Sequence, residues 1–195
     1  MMKRFFVTIL ALVALGLPLR AQESDFTEFF HNRTLRVDYQ RVGNQTMESV
    51  RLVRYVAKNG QWGGSTTQLI DPFNLGDYRV VVKDSKTNRI IYSRTYSSLF
   101  SEYRATDEAK SKMATYEEVV QVPMPKGNAD IIMETRGADQ EFHTTGVFHF
   151  DPRKSNIEKR HPHHKSKLQY KGNPNWKVDI VIVAVGVSPN QLIPR

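Results

Sequence analysis

Short stretches in which apolar and polar residues alternate constrain the fold of this chain more than any other feature. The clearest stretch runs from Arg33 to Val42, where Leu35, Val37 and Tyr39 fall on one side and polar residues on the other. A period of two is typical of a strand that buries one face. Six further candidate strands follow in chain order, at residues 50–57, 77–83, 90–96, 116–122, 130–135 and 142–150.

The segments between these candidate strands carry turn signals, and helical periodicity is nearly absent. Polar loops of hairpin length occupy residues 84–88 and 136–140. Helical turns are expected only near residues 24–32 and 106–112. Seven short strands at roughly regular spacing predict a mostly β fold, an antiparallel β-sandwich of Ig-like or jelly-roll-like type with one or two short helices.

The first residues have the pattern of a secretory signal peptide. Lys3 and Arg4 precede an apolar run that ends at Leu17, and Ala21 offers a small residue before Gln22. This run is shorter than the ~20 residues that a membrane-spanning helix needs. We predict that residues 1–21 are removed and that the protein is exported, periplasmic or extracellular, without a transmembrane anchor. The alternatives are a buried helix or an uncleaved anchor.

Positive charge is concentrated near the end of the chain. The whole sequence has 28 Lys and Arg residues against 20 Asp and Glu residues, yet residues 22–151 contain 16 basic and 18 acidic side chains. The polar segment 153–175 therefore reads as a basic linker between two folded parts. A nearly neutral body and export both argue against a nucleic-acid partner.

A different apolar pattern begins at Trp176. The run from Val178 to Val185 is almost continuously apolar, which is typical of a strand buried on both faces in a parallel sheet. The predicted organisation is a signal peptide at 1–21, a sandwich domain at 22–152, a basic linker at 153–175 and, at 176–195, the first strand of a truncated second domain.

Sequence motifs of known catalytic chemistry are missing. The chain has no cysteine, no G-x-S-x-G segment, no glycine-rich phosphate loop and no H-E-x-x-H segment. Glu117 and Glu118 are adjacent in a candidate strand, so their side chains point to opposite faces and do not form an acid–base pair. We predict that the protein is not an enzyme and has no catalytic, cofactor-binding or metal site.

The histidines at residues 161, 163 and 164 form the sequence's closest approach to a set of metal ligands. Imidazoles bind zinc, but a zinc site needs rigid support and either a fourth ligand or an open position. A loop between Pro162 and Lys165 provides neither, so we interpret His161, His163 and His164 as surface residues.

A few other residues allow a functional interpretation beside an ordinary one. His143 and His149 are separated by an even number of residues and could share a face, although surface positions are the simpler interpretation. Trp62 lies among glycines and could stack on a sugar, or it could anchor its loop. Asn32 and Asn44 begin N-x-[ST] segments, which occur commonly by chance.

Two segments carry a family resemblance. Residues 33–39 read RTLRVDY and residues 97–109 read SSLFSEYRATDEA. In this order and spacing the chain resembles the N-terminal region of the IgA-peptidase-type zinc metallopeptidases exported by gut bacteria. The resemblance implies a β-sandwich that precedes a catalytic zinc domain. It carries no catalytic residue to this chain, which also reads Ala184-Val185-Gly186-Val187 where the family strand usually continues as Ala-Glu-Gly-Tyr.

The expected function follows from that resemblance. It implies a non-catalytic accessory domain that packs against or positions a catalytic peptidase domain. The alternative is a free-standing exported domain that binds a host protein or glycan surface, as an adhesin does.

Overall fold

The computed structural model describes residues 22–160, 172–173 and 175–176. The helices and strands, in chain order, are α1 (Gln22–Phe29), β1 (Phe30–Gly43), β2 (Glu48–Lys58), β3 (Tyr78–Asp84), β4 (Ile90–Tyr96), α2 (Leu99–Arg104), β5 (Ala114–Pro125), β6 (Ala129–Arg136), β7 (Phe142–Phe150) and β8 (Ile157–Arg160). A short 3-10 helix at Glu108–Lys110 lies between α2 and β5.

The strands form two four-stranded sheets. The first has the order β5-β1-β2-β8 and the second has the order β4-β3-β6-β7. All pairs are antiparallel except β2 with β8, which is parallel. The inner faces of the sheets pack on each other over one core, so the predicted mostly β sandwich is confirmed.

Strand β1 shows how the alternating pattern builds this core. Leu35, Val37 and Tyr39 are almost completely buried, as the period of two predicts. Burying each such side chain stabilises the fold by about 1.5–3 kcal/mol. The same inward row continues to Arg41, whose charged side chain is also buried. That residue organises the site described below.

Strand β8 lies inside the segment that the sequence assigned to the basic linker 153–175. Instead of spanning solvent, Ile157–Arg160 pairs with the end of β2, from Tyr55 to Lys58. Ile157 packs against the core. Glu158 lies 3.4 Å from the Arg54 guanidinium. A short, charged strand is well suited to an exposed sheet edge, because its side chains discourage further pairing. The sheet therefore continues to Arg160 instead of ending at Pro152.

The open edge of β4 is covered by the loop that precedes β3. The Ser93 amide donates to the Leu69 carbonyl at 2.9 Å, and the Thr95 amide donates to Asp71 Oδ2 at 2.9 Å. Burial opposes ionisation of Asp71, but the hydrogen bonds from Thr95 and nearby amides outweigh it and lower the pKa of this carboxyl to about 2. The loop thus satisfies donors that an edge strand otherwise exposes.

Helix α2 lies between β4 and β5, just before residues 106–112, where a helical turn was expected. Ser98 caps its start, since Ser98 Oγ accepts a hydrogen bond from the Phe100 amide at 3.1 Å. Phe100 is fully buried beneath the helix. No helix in the described part of the chain is long and apolar enough to cross a membrane. The predicted signal peptide 1–21 and residues 177–195 lie outside the described residues.

Candidate functional site

The five histidines considered as candidate site residues separate into two groups. His161, His163 and His164 lie outside the described residues, and within them no cluster of three metal-ligating side chains occurs. His143 and His149 are exposed, and each contacts a neighbouring carboxylate, Asp139 and Asp130 respectively.

The expectation that His143 and His149 could share a face is wrong. The pairing register of β6 and β7 shifts between Met133 and Glu134, because one extra residue of β7 bulges out there. A bulge reverses which side chains point to which face beyond it. His143 is consequently paired with the inward residue Thr135, whereas His149 is paired with the outward residue Asp130.

Trp62 anchors its loop, as the ordinary interpretation predicted. Its ring packs edge-on against Tyr92, with the ring centroids 5.9 Å apart. Its indole Nε1 donates to the Ser65 carbonyl at 3.1 Å, and its backbone amide donates to Asn32 Oδ1 at 3.1 Å. The half-buried indole is held by its contact with Tyr92 and by its own hydrogen bond, which is typical of a loop anchor.

Glu117 and Glu118 point to opposite faces of β5, as expected. Glu117 is exposed, and Glu118 points between the sheets. Glu118 Oε2 accepts hydrogen bonds from the Tyr39 hydroxyl at 2.5 Å and from Arg41 Nε at 2.9 Å. The other oxygen, Oε1, is buried without a hydrogen-bond partner among the described residues.

Arg41 is the centre of a buried ionic cluster. Its side chain is completely shielded from solvent and lies over the Tyr78 ring, 3.9 Å from the centroid. One terminal nitrogen pairs with Glu48, and the other donates to the hydroxyls of Tyr39 at 3.3 Å and Tyr96 at 3.2 Å. These contacts join strands of both sheets through a single guanidinium group.

Glu48 connects this cluster to the loops above it. Its Oε1 also accepts a hydrogen bond from Thr135 Oγ1 at 2.7 Å, and its Oε2 accepts one from Arg104 at 3.2 Å. Arg104 also lines a cavity of about 380 Å³ that opens above Tyr78 and Thr135. Three residues that contact the buried cluster, Tyr78, Arg104 and Thr135, therefore also line a surface cavity.

Burial changes the acid–base properties of the tyrosines in this cluster. It raises the pKa of Tyr78 and of Tyr96 to about 12, and it raises the pKa of Tyr39 further. The three phenols therefore stay protonated near neutral pH and act as hydrogen-bond partners for Arg41 and Glu118. Removing one member of a buried ion pair typically costs about 3–5 kcal/mol, so Arg41 and its two carboxylates depend on one another within the first sheet.

The position of Arg41 in the alternating pattern of β1 is a sequence signal for this cluster. Arg41 follows Leu35, Val37 and Tyr39 on the inward row of β1. A charged residue at a core position requires a buried partner of opposite charge. The pattern could have predicted the ion pair, but not that Glu48 and Glu118 supply the carboxylates.

A second candidate region is an exposed apolar surface beside β4. We define the apolar edge as Phe73, Leu75 and Leu99, whose side chains are 75%, 82% and 66% exposed. Phe73 and Leu75 are held beside β4 by Gly76, which packs closely against that strand. A Cβ at Gly76 would lie only 2.5 Å from the Tyr96 backbone. Leu99 follows Tyr96 by three residues. Large exposed apolar side chains that lie near one another are typical of protein contact sites.

Asn175 binds to the loop between β2 and β3, the loop that carries Phe73 and Leu75. Asn175 Oδ1 accepts hydrogen bonds from the Thr66 amide at 2.8 Å and from the Ser65 hydroxyl at 3.0 Å. Trp176 follows with 81% of its side chain exposed. The bonds to Ser65 and Thr66 attach Asn175 to this loop.

Comparison with known proteins gives one family. The model of a family described as Peptidase M64 N-terminus matches residues 25–146, well over half of the chain. Both RTLRVDY and SSLFSEYRATDEA lie within this match, which confirms the resemblance that they indicated. No curated protein matches the chain.

Proposed function

Since the chain belongs to the Peptidase M64 N-terminus family, we propose that it is a non-catalytic accessory domain that packs against and positions a catalytic peptidase domain. The hydrogen bonds between Asn175 and the loop residues Ser65 and Thr66 are the observation that best supports this proposal. A free linker would let a following domain tumble, whereas a chain anchored at Ser65 and Thr66 starts from a fixed point.

The apolar edge is the surface on which we place this contact. Phe73 and Leu75 belong to the loop that binds Asn175, Leu99 begins α2, and all three side chains are largely exposed. Burying them against a partner would recover about 1.5–3 kcal/mol for each large side chain. The ion pairs of Arg41 lie beneath the neighbouring loops and keep that support rigid.

A binding measurement tests the proposal. A separately produced catalytic domain from a peptidase of this family should bind the purified chain in isothermal titration calorimetry. Changing Phe73→Ser together with Leu75→Ser should weaken this binding by at least about tenfold, since two anchor side chains are lost.

The matched control changes two apolar residues that are exposed elsewhere. Val53 and Val119 lie on the outer face of the first sheet and are 52% and 53% exposed. Val53→Ser with Val119→Ser should leave binding unchanged. Equal weakening by both double variants, or no binding by the unaltered chain, would contradict the proposed contact.

We also propose export with removal of residues 1–21, which the Lys3 and Arg4 charges and the apolar run favour. The mass of the secreted protein checks this directly. A chain beginning at Gln22 is the expected product, and a secreted chain that retains Lys3 would refute it.

A further inference from the structure

The end of the sandwich near helix α1 contains a cavity with a marked charge bias. It measures about 610 Å³ and lies among three turns, at residues 84–86, 126–128 and 151–154. Its lining includes four cationic and two anionic side chains, namely Lys86, Lys126, Arg153, Lys154, Asp84 and Asp151. The rest of residues 22–151 is nearly neutral, so this excess of positive charge is local.

The two carboxylates are occupied by their own turns. Asp84 Oδ2 accepts hydrogen bonds from the amide and the hydroxyl of Thr87, both at 2.7 Å. Asp151 Oδ1 accepts one from the Arg153 amide at 2.9 Å. These bonds cap the turns and leave the carboxylates with less capacity to neutralise nearby cations.

The cations have few competing partners. Among the described residues, neither the Lys86 side chain nor the Arg153 side chain makes a hydrogen bond or an ion pair, and Lys154 approaches Asp151 only to 4.0 Å. Lys126 donates to the Thr27 carbonyl, which leaves other ammonium donors available. Unpaired cations around a concave surface create a positive potential that attracts anions.

We propose that this cavity binds a sugar that carries a carboxylate or sulfate group. The volume falls in the range of small-molecule sites, about 300–1,000 Å³, and exceeds what a bare ion fills. The Ser85 hydroxyl and the Asn128 amide, which also line it, suit a hydroxylated ligand. None of its described lining residues is aromatic, which disfavours a nucleotide, whose base needs a stacking surface. This inference is independent of the proposed accessory role.

Gly127 provides a way to block the cavity. A Cβ added there would meet only Asp84 Oδ1, at 4.0 Å, and Gly127 is not in the left-handed region of backbone conformation. Gly127→Glu therefore fits without backbone strain and places a carboxylate beside the cationic side chains. Gly63 is a matched control, because a Cβ there meets nothing within 4 Å and Gly63 does not line the cavity.

The experiment titrates the 15N-labelled chain with 3′-sialyllactose and with galactose 6-sulfate, and follows amide shifts by NMR. Lactose, galactose and sodium sulfate are the comparison ligands. Either charged sugar should shift amides at residues 84–86, 126–128 and 151–154, with a Kd on the order of 1 mM. Which of the two binds more tightly distinguishes the carboxylate from the sulfate. Lactose and galactose should cause no shifts, because they lack the charge.

The variants decide whether the cavity is responsible. Gly127→Glu should weaken binding by at least about tenfold through charge repulsion, and Gly63→Glu should change it by less than about twofold. Lys86→Ala with Arg153→Ala provides a second variant if Gly127→Glu fails to fold, with the same expected loss. No binding of either charged sugar, binding unaffected by the cavity variants, or sulfate ion that binds as tightly as the charged sugars would overturn the proposal.

Discussion

Two ionic clusters on strand β1 differ mainly in their distance from water. The inner cluster surrounds Arg41, whose side chain is fully buried between the sheets. The outer cluster surrounds Asp38, which pairs with Arg36 at 2.5 Å and with Arg54 at 2.8 Å on the outer face of the first sheet. The two centres, Asp38 and Arg41, are only three positions apart along the strand.

The comparison teaches that contact geometry does not set the energetic importance of an ion pair. Burial opposes ionisation of Asp38, but hydrogen bonds from Arg36 and Arg54 outweigh it and lower the pKa of this carboxyl below its ordinary value. Water still reaches Arg54, whose side chain is 46% exposed, and screens the attraction. Arg41 has no such access, so losing it leaves Glu118 buried without a cationic partner and leaves Glu48 with Arg104 alone.

Replacing Arg41 should have the largest effect. Arg41→Met keeps most of the side-chain volume but removes the charge, so the free energy of unfolding should fall by about 3–5 kcal/mol. Urea denaturation followed by circular dichroism measures this. If the variant does not fold, Glu118→Gln provides a milder test, with an expected loss of about 1–3 kcal/mol because Tyr39 and Arg41 keep a neutral acceptor. A loss near zero for both variants would contradict the distinction between the two clusters.

Removing strand β8 should lower the free energy of unfolding by an intermediate amount. This strand supplies Glu158 to Arg54 in the outer cluster, and it also adds backbone hydrogen bonds and the partly buried Ile157. A chain that ends at Pro152 should be less stable to urea than one that ends at Arg160, by about 1–3 kcal/mol. Equal stability of the two chains would show that β8 contributes nothing to the sheet.

Asp71 is a carboxylate that accepts hydrogen bonds only from neutral donors, and its contribution to stability should depend on pH. Its pKa is about 2 in the folded chain against an ordinary value of 3.8, so it stabilises the fold above about pH 4 and loses this contribution as the pH falls towards 2. Asp71→Asn should remove that part of the acid dependence. Because water screens this loop, the loss at neutral pH should be below about 1 kcal/mol. Urea midpoints between pH 2 and pH 7 measure both, and parallel pH profiles of the two chains would rule out the assignment.

Breaking the outer cluster should have the smallest effect. Arg54→Ala removes one partner of Asp38 but leaves Arg36 in place, and the lost guanidinium is accessible to water. The urea midpoint should therefore stay within experimental error, while a thermal melt should remain cooperative. A loss as large as that of Arg41→Met would mean that exposure does not separate the clusters.

The sequence by itself determined strands β1 to β7 and the inward face of β1. Alternation at Leu35, Val37 and Tyr39 predicts β1 because side-chain direction in a strand depends only on local backbone geometry. The turn residues between strands act over a few residues, so they were also predictable. The helix that Ser98 caps was not among the expected helical turns. The motifs RTLRVDY and SSLFSEYRATDEA indicated the family because each is a continuous segment that can be read without the fold, and both lie within the family match.

Only the tertiary structure decided which distant residues meet. Glu48 and Glu118 join Arg41 from different strands, and Ile157–Arg160 becomes a strand only because β2 offers its edge. The bulge that separates His143 from His149 likewise depends on pairing with β6. The positive cavity is assembled from three turns far apart in sequence. Such contacts depend on how the sheets pack and pair across long sequence separations, which a pattern of neighbouring residues does not encode.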